Sequence, residues 1–209
     1  MTADASPLPG YYRFHARIYD ATRWSFLFGR DRLVRLAAET VGRDGLDRPA
    51  RAAEIGCGTG RNLLALSRAL PGASITGVDL CRPMLERARR AVSRTACQAQ
   101  LHCAAYGPGT FAPGSLDLIV FSYALTMFNP GWDAALDTAR EHLAPGGRIA
   151  VVDFHDTPAG WFRAWMGVNH VRFDGHLLPE LKARFTACRQ ELRPAYGGLW
   201  RYFLFLGRK

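Results

Sequence analysis

Three glycines, at 56, 58 and 60, close one short apolar run and open a helix-forming one: Arg51-Ala-Ala-Glu-Ile-Gly-Cys-Gly-Thr-Gly-Arg-Asn62. The pattern predicts strand, glycine turn, helix. Such a turn lets the backbone come close to a ligand where a Cβ would clash, and it presents the free N–H groups of a helix start to a negative group. A second apolar run, Ser74-Ile-Thr-Gly-Val-Asp79, ends on an acid placed to take both hydroxyls of a ribose.

The spacing argues against a dinucleotide fingerprint. G-x-G-x-x-G counted from Gly56 and Gly58 needs a glycine at 61, where the chain has Arg61. Glu54-Ile-Gly-Cys-Gly-Thr-Gly60 with Gly77-Val-Asp79 instead resembles the first two motifs of the class I S-adenosylmethionine-dependent methyltransferases, and Leu143-Ala-Pro-Gly-Gly147 is a third point of resemblance. The resemblance implies an α/β, Rossmann-like fold: a seven-stranded, mostly parallel sheet with helices on both faces and a C-terminal antiparallel hairpin. It also implies S-adenosylmethionine as cofactor, held by Glu54, Gly56, Cys57, Gly58, Gly60, Asn62, Asp79, Leu80, Met84 and Ser122.

A chain of 209 residues with 48% hydrophobic content suits one domain with a full core. Residues 1–10, broken by Pro7 and Pro9, read as a tail, and 11–209 as a single domain. Met-Thr-Ala-Asp does not open a secretion signal and no apolar run has bilayer length, so a cytoplasmic protein is expected, peripheral to the inner membrane face at most. Five cysteines without a C-x-x-C pair argue for reduced thiols. The net charge of +9 is carried almost wholly by arginine, Lys182 and Lys209 being the only lysines. It suits an acidic partner such as an anionic membrane surface, although a GC-rich genome enriches arginine as well.

Residues 11–42 read as a helical lid or membrane-facing segment. In its first part, 11–29, Tyr11, Phe14 and Ile18 fall at helical spacing and Arg13 and Arg17 lie one turn apart. Helices follow over 31–41, 62–70, 82–94 and 133–143, with strands near 98–104, 116–122 and 148–154. Ala104 and Ala105 stand where resembling enzymes often place an acid beside the adenine amino group, so backbone groups are expected to hold adenine here. Ser122-Tyr-Ala-Leu125 is not the Asp/Asn-Pro-Pro-aromatic loop of nucleic-acid amino methylation, and no nucleic-acid partner is expected. Residues 155–186 read as a helical insertion on the substrate side, in which Trp161, Trp165 and Val168 form one stripe, either core or lipid-facing. Strands over 186–193 and 199–206 make the final hairpin. The groups Asp153/His155/Asp156 and His170/Asp174/His176 lack the spacing of a zinc or iron site, so no metal is expected.

A closer resemblance rests on Arg17-Ile-Tyr-Asp20, Phe28-Gly-Arg-Asp-Arg-Leu33, Gly56–Leu63, Ser122–Leu125 and Val151-Val-Asp-Phe154. Together these are similar to the diacylglyceryl-homoserine N-methyltransferases, which trimethylate a homoserine-ether lipid to a betaine lipid. The resemblance implies an amine acceptor; patterns close to it methylate phosphatidylethanolamine or quinone precursors, and a basic membrane-surface protein that binds the cofactor without catalysis is the reading from another class. Methyl transfer to an amine asks mainly for in-line placement, which supplies roughly 7 to 11 kcal/mol of the barrier. The amine must first lose a proton, and Tyr19, Tyr123 or His155 is expected to accept it.

Overall fold

The computed structural model describes residues 26–128, 130–168 and 171–209. Its strands are β1 (Arg51–Ile55), β2 (Ser74–Asp79), β3 (Gln100–Cys103), β4 (Leu116–Ser122), β5 (Leu143–Asp156), β6 (Thr186–Ala195) and β7 (Trp200–Arg208). They form one sheet in the order β3-β2-β1-β4-β5-β7-β6. β1 to β5 run parallel, and β7 inserts antiparallel between β5 and β6. The strand order reverses between β1 and β4, so a crevice opens beyond their C-terminal ends, where sheets of this kind bind ligands.

Among the described residues six helices cover the sheet: α1 (Arg30–Arg43), α2 (Arg61–Ala69), α3 (Arg82–Val92), α4 (Trp132–His142), α5 (Gly160–Val168) and α6 (Leu177–Arg184). α1 forms because Leu33, Val34, Ala37, Ala38 and Val41 recur at helical spacing, and this stripe is buried. Full burial of each large aliphatic contributes about 1.5–3 kcal/mol. Alternation along the strands divides the core in two. Ala52, Leu118, Val120, Ala150 and Val152 face α1 and α2, while Ala53, Ile119, Phe121, Ile149 and Val151 face α4 and α6.

The helix expected over 11–29 lies outside the described residues except for 26–29, which form a turn. The expected seven-stranded sheet with its hairpin is present, and two local expectations are corrected. β5 starts earlier than expected: it pairs at Leu143, loops out and resumes at Arg148. The stripe expected at Trp161, Trp165 and Val168 is not the buried face of α5. Phe162 and Met166 are buried, whereas Trp161 and Trp165 stay 69% and 52% exposed; the side chain of Val168 lies outside the described set.

Candidate cofactor and active site

β1 delivers the chain into a turn in which Gly56, Gly58 and Gly60 all have positive φ, at 71°, 54° and 80°. Backbone hydrogen bonds from Gly56 and Cys57 to the Val78 carbonyl, at 2.8 and 3.1 Å, fasten this turn to β2. Glycine is needed at 56 for two reasons: the left-handed conformation, and the Ala124 Cβ, which would lie 2.8 Å from a Cβ at this position. At 58 the reason differs, because a Cβ there would meet nothing within 4 Å. Gly58 lines a cavity of about 240 Å³ and leaves that space clear.

Asp79 closes β2 and fastens the turn from the other side. Its Oδ2 accepts the Gly58 N–H at 2.7 Å and its Oδ1 accepts the Cys81 N–H at 2.8 Å. The carboxylate therefore fixes the glycine turn to the start of α3 and still has lone pairs to offer a ligand.

Glu54, Gly56, Cys57, Gly58, Asn62, Met84 and Ser122 line the cavity, so seven of the ten expected cofactor residues are brought together. Gly60 and Asp79 support the turn from behind its lining, and Leu80 is exposed beyond β2. Spacing did not reveal Leu27, Arg30, Thr59 and Arg61, which also line the cavity. Thr59 and Arg61 lie inside the glycine motif itself; Leu27 and Arg30 belong to the segment 11–42 read as a lid or membrane-facing element, in which neither is expected as a cofactor contact.

The polar chemistry of the cavity is uneven. Asn62 Nδ2 donates to Glu54 Oε1 at 2.7 Å. Asn62 Oδ1 and Ser122 Oγ are buried and make no hydrogen bond among the described residues. An acceptor oxygen left unpaired in a protein interior costs about 1–3 kcal/mol, which a ligand donor would recover. Arg30 and Arg61 add positive charge to the cavity lining. The Cys57 thiol is pushed far up by burial and by the nearby Glu54 and Asp79 carboxylates, so it remains a neutral wall group and no nucleophile.

Tyr123 and His155, the two described proton acceptors of the three expected, are not assembled at this cavity. Tyr123 is 1% exposed and its hydroxyl donates to the Phe28 carbonyl at 2.8 Å. Burial, reinforced by the Asp153 charge, raises its pKa well above the usual range, which corrects the expectation of a base at Tyr123. His155 is corrected as well. Its ring packs on Phe203, in the core on the α4 and α6 side, and against Gly175, whereas Glu54 and Ser122 share the opposite parity with the α1-facing residues. Burial lowers its pKa, and the sheet separates it from the cavity. Tyr19 lies outside the described residues.

Near the third strand, the Ala104 N–H donates to the Asp79 carbonyl at 3.2 Å, and Ala104 and Ala105 border an open cavity of about 360 Å³. The loop there is held by His142, whose ring nitrogens contact the Tyr106 hydroxyl at 3.0 Å and the Pro108 carbonyl at 3.1 Å. No cluster of three potential metal ligands occurs among the described residues.

Comparison with known proteins points to one class. The family described as "Methyltransferase domain" matches residues 52–147, the stretch that contains the glycine turn, Asp79 and the end of β4. This part of the chain is similar to a methyltransferase domain. The demethylmenaquinone methyltransferase of Thermus thermophilus is 31% identical over 149 residues, covering 69% of this chain and 64% of that protein. A trans-aconitate 2-methyltransferase of Methylobacterium radiotolerans is 31% identical over 121 residues, covering 58% of this chain and 44% of that protein. The chain thus spans less than two thirds of the length of these relatives. The solved 1,6-didemethyltoxoflavin-N1-methyltransferase of Burkholderia thailandensis, with bound S-adenosylhomocysteine, superposes with a TM-score of 0.69 at 16% identity, over 100% of this chain and 93% of that one. That likeness establishes the fold, the class I S-adenosylmethionine-dependent methyltransferase fold.

The cavity has donors and acceptors that could hold S-adenosylmethionine. S-adenosylmethionine supplies an electrophilic methyl group on a sulfonium. The buried Asn62 Oδ1 and Ser122 Oγ suit its ammonium, Arg30 and Arg61 suit its carboxylate, and the free lone pairs of Asp79 suit its ribose hydroxyls. None of these groups needs to form a covalent bond. Their contribution would be to hold charge and exclude water around the reacting partners.

Proposed function

We propose that the protein is an S-adenosylmethionine-dependent N-methyltransferase whose acceptor is a lipid amine, of the diacylglyceryl-homoserine kind, methylated in successive rounds to a trimethylated betaine. The observation that carries methyl transfer is the glycine-turn cavity with its two buried, unpartnered oxygens beside two arginines. Support for a lipid acceptor comes from α5. This nine-residue helix has one charged side chain, Arg163, and presents Trp161 and Trp165 outward. Indole rings and arginine both sit well at a bilayer interface. Trp165 lies 6.5 Å from the ring of Phe26, the neighbour of the cavity residue Leu27, so the aromatic surface leads to the cofactor. An anionic membrane surface is the proposed partner, in keeping with the +9 charge. With Tyr123 bonded to Phe28 and His155 behind the sheet, Tyr19 is the proposed proton acceptor.

The relative that acts on demethylmenaquinone supports a second reading, a quinone precursor whose apolar tail would use the same surface. The two readings separate in one experiment. The purified protein is incubated with S-adenosylmethionine and vesicles containing the homoserine lipid, phosphatidylethanolamine or a demethylated quinone, and products are followed by mass spectrometry. Successive methyl steps on the homoserine lipid are expected. A methyl step on the quinone alone would replace the lipid-amine reading, and no product on any of the three would overturn both.

A further inference from the structure

Residues 26–30 form a strap at the cavity wall, and a side chain from the end of β4 holds it. Leu27 and Arg30 line the cavity. The strap rests on aromatic rings of β7: Phe26 stacks on Trp200 at 5.3 Å and Phe28 on Tyr202 at 6.1 Å. Gly29 turns the strap into α1 at φ +79°, where a Cβ would lie 2.7 Å from the Tyr202 ring. The polar tie between strap and sheet is the Tyr123 hydroxyl on the Phe28 carbonyl, across 95 positions of sequence.

Tyr123 itself has φ +55°, a conformation that a bulky residue rarely adopts and that persists only where its surroundings over-determine it. Those surroundings are specific. Its N–H donates to the Val152 carbonyl at 2.8 Å, and its ring meets Phe154 edge-on at 4.7 Å. The left-handed residue sends three successive side chains to three places: Ser122 to the cavity wall, Tyr123 to the strap, and Ala124 against Gly56.

We infer that Tyr123 is a positioning residue for the cofactor: its hydroxyl latches the strap so that Leu27 and Arg30 complete the cavity lining beside the glycine turn. The inference rests on residues 54–62 being the cofactor pocket. Tyr123→Phe keeps the ring and removes the latch. In the ligand-free full-length variant, amide exchange over residues 27–33 should quicken by about tenfold while β1 and β4 keep their protection. The Kd for S-adenosylhomocysteine and the KM for S-adenosylmethionine should rise about tenfold, with kcat changed by no more than about twofold. Gly29→Ala, which disturbs the strap from the Tyr202 side, should give the same pattern and serves if Tyr123→Phe folds poorly. Combining Tyr123→Phe with Leu27→Ala should weaken affinity less than the sum of the two separate effects. Unchanged exchange over 27–33, or strictly additive effects, would overturn the latch. Failure of the unaltered protein to bind S-adenosylhomocysteine would instead sink the cofactor reading, because exchange is read without ligand.

Discussion

The two walls of the cofactor cavity are built from different materials. On the β1–β2 side the wall is backbone: three glycines in left-handed conformations, two N–H groups on the Val78 carbonyl, and one carboxylate on two further N–H groups. On the β4–β7 side it is side chain: a strap of aromatics on Trp200 and Tyr202, latched by Tyr123. The backbone wall has no room for an added atom at Gly56 and little at Gly60, and depends on few long-range contacts. A side-chain wall accepts changes of shape, but needs residues from both ends of the chain at once.

Gly56→Val should have the largest effect. It places a β-branched residue in the left-handed region and its Cβ 2.8 Å from that of Ala124. Backbone strain of about 1–2 kcal/mol and overpacking of about 1–3 kcal/mol should together lower stability in urea denaturation, and cofactor binding should be lost with it. A fully stable, binding Gly56→Val protein would mean that the turn is not the rigid wall.

Asp79→Ala comes next. It removes two charge-assisted hydrogen bonds as well as the proposed ribose acceptor, and affinity for S-adenosylhomocysteine should fall about 100-fold or more. Calorimetric titration checks this, and a change within about threefold would remove Asp79 from the site.

The turn after β4 should respond to pH. Asp153 is fully buried beneath the turn after β4, accepting from the Thr126 N–H at 3.1 Å and from the Thr126 hydroxyl at 2.6 Å. Burial raises its pKa from 3.8 to about 6. The protonated acid therefore favours the fold. That contribution is complete below about pH 4 and is lost as pH rises through about 6, about 3 kcal/mol in all. Asp153→Asn should flatten this part of the stability profile, whereas an unchanged slope between about pH 4 and 6 would assign it to other groups.

Trp161→Ala should be the mildest. The ring is exposed, so stability should stay within about 0.5 kcal/mol while sedimentation with anionic vesicles falls. Undiminished vesicle binding would take α5 out of the proposed membrane contact.

The difference between the walls also explains what could be read from the sequence. The backbone wall is local: Glu54 to Asn62 and Asp79 lie close in sequence, and glycine spacing reports directly on left-handed turns. The same locality made β2, β4 and the hairpin legible. Leu27 and Arg30 could not be found that way, because what brings them to the cavity is a hydroxyl at 123 and rings at 200 and 202. Tyr123 was visible as a polar residue beyond β4, but its hydrogen-bond partner is 95 positions away, so its placement could not be read. His155 was misplaced for a related reason. It stands at the right end of β5, but alternation puts its side chain on the far face, toward Phe203. In α5, helical period alone could not choose between the Trp161/Trp165 face and the Phe162/Met166 face, and packing on Trp200 and Phe173 chose the second.

Titration of S-adenosylhomocysteine into the unaltered protein and into Gly58→Val tests the cofactor cavity most directly. A Cβ at 58 meets no protein atom within 4 Å, so the variant's side chain intrudes on the ligand space and strains only its own backbone. The unaltered protein should bind one equivalent, and Gly58→Val should remain folded but bind at least about 100-fold more weakly. Equal binding by the two proteins would show that the cofactor does not lie against the glycine turn.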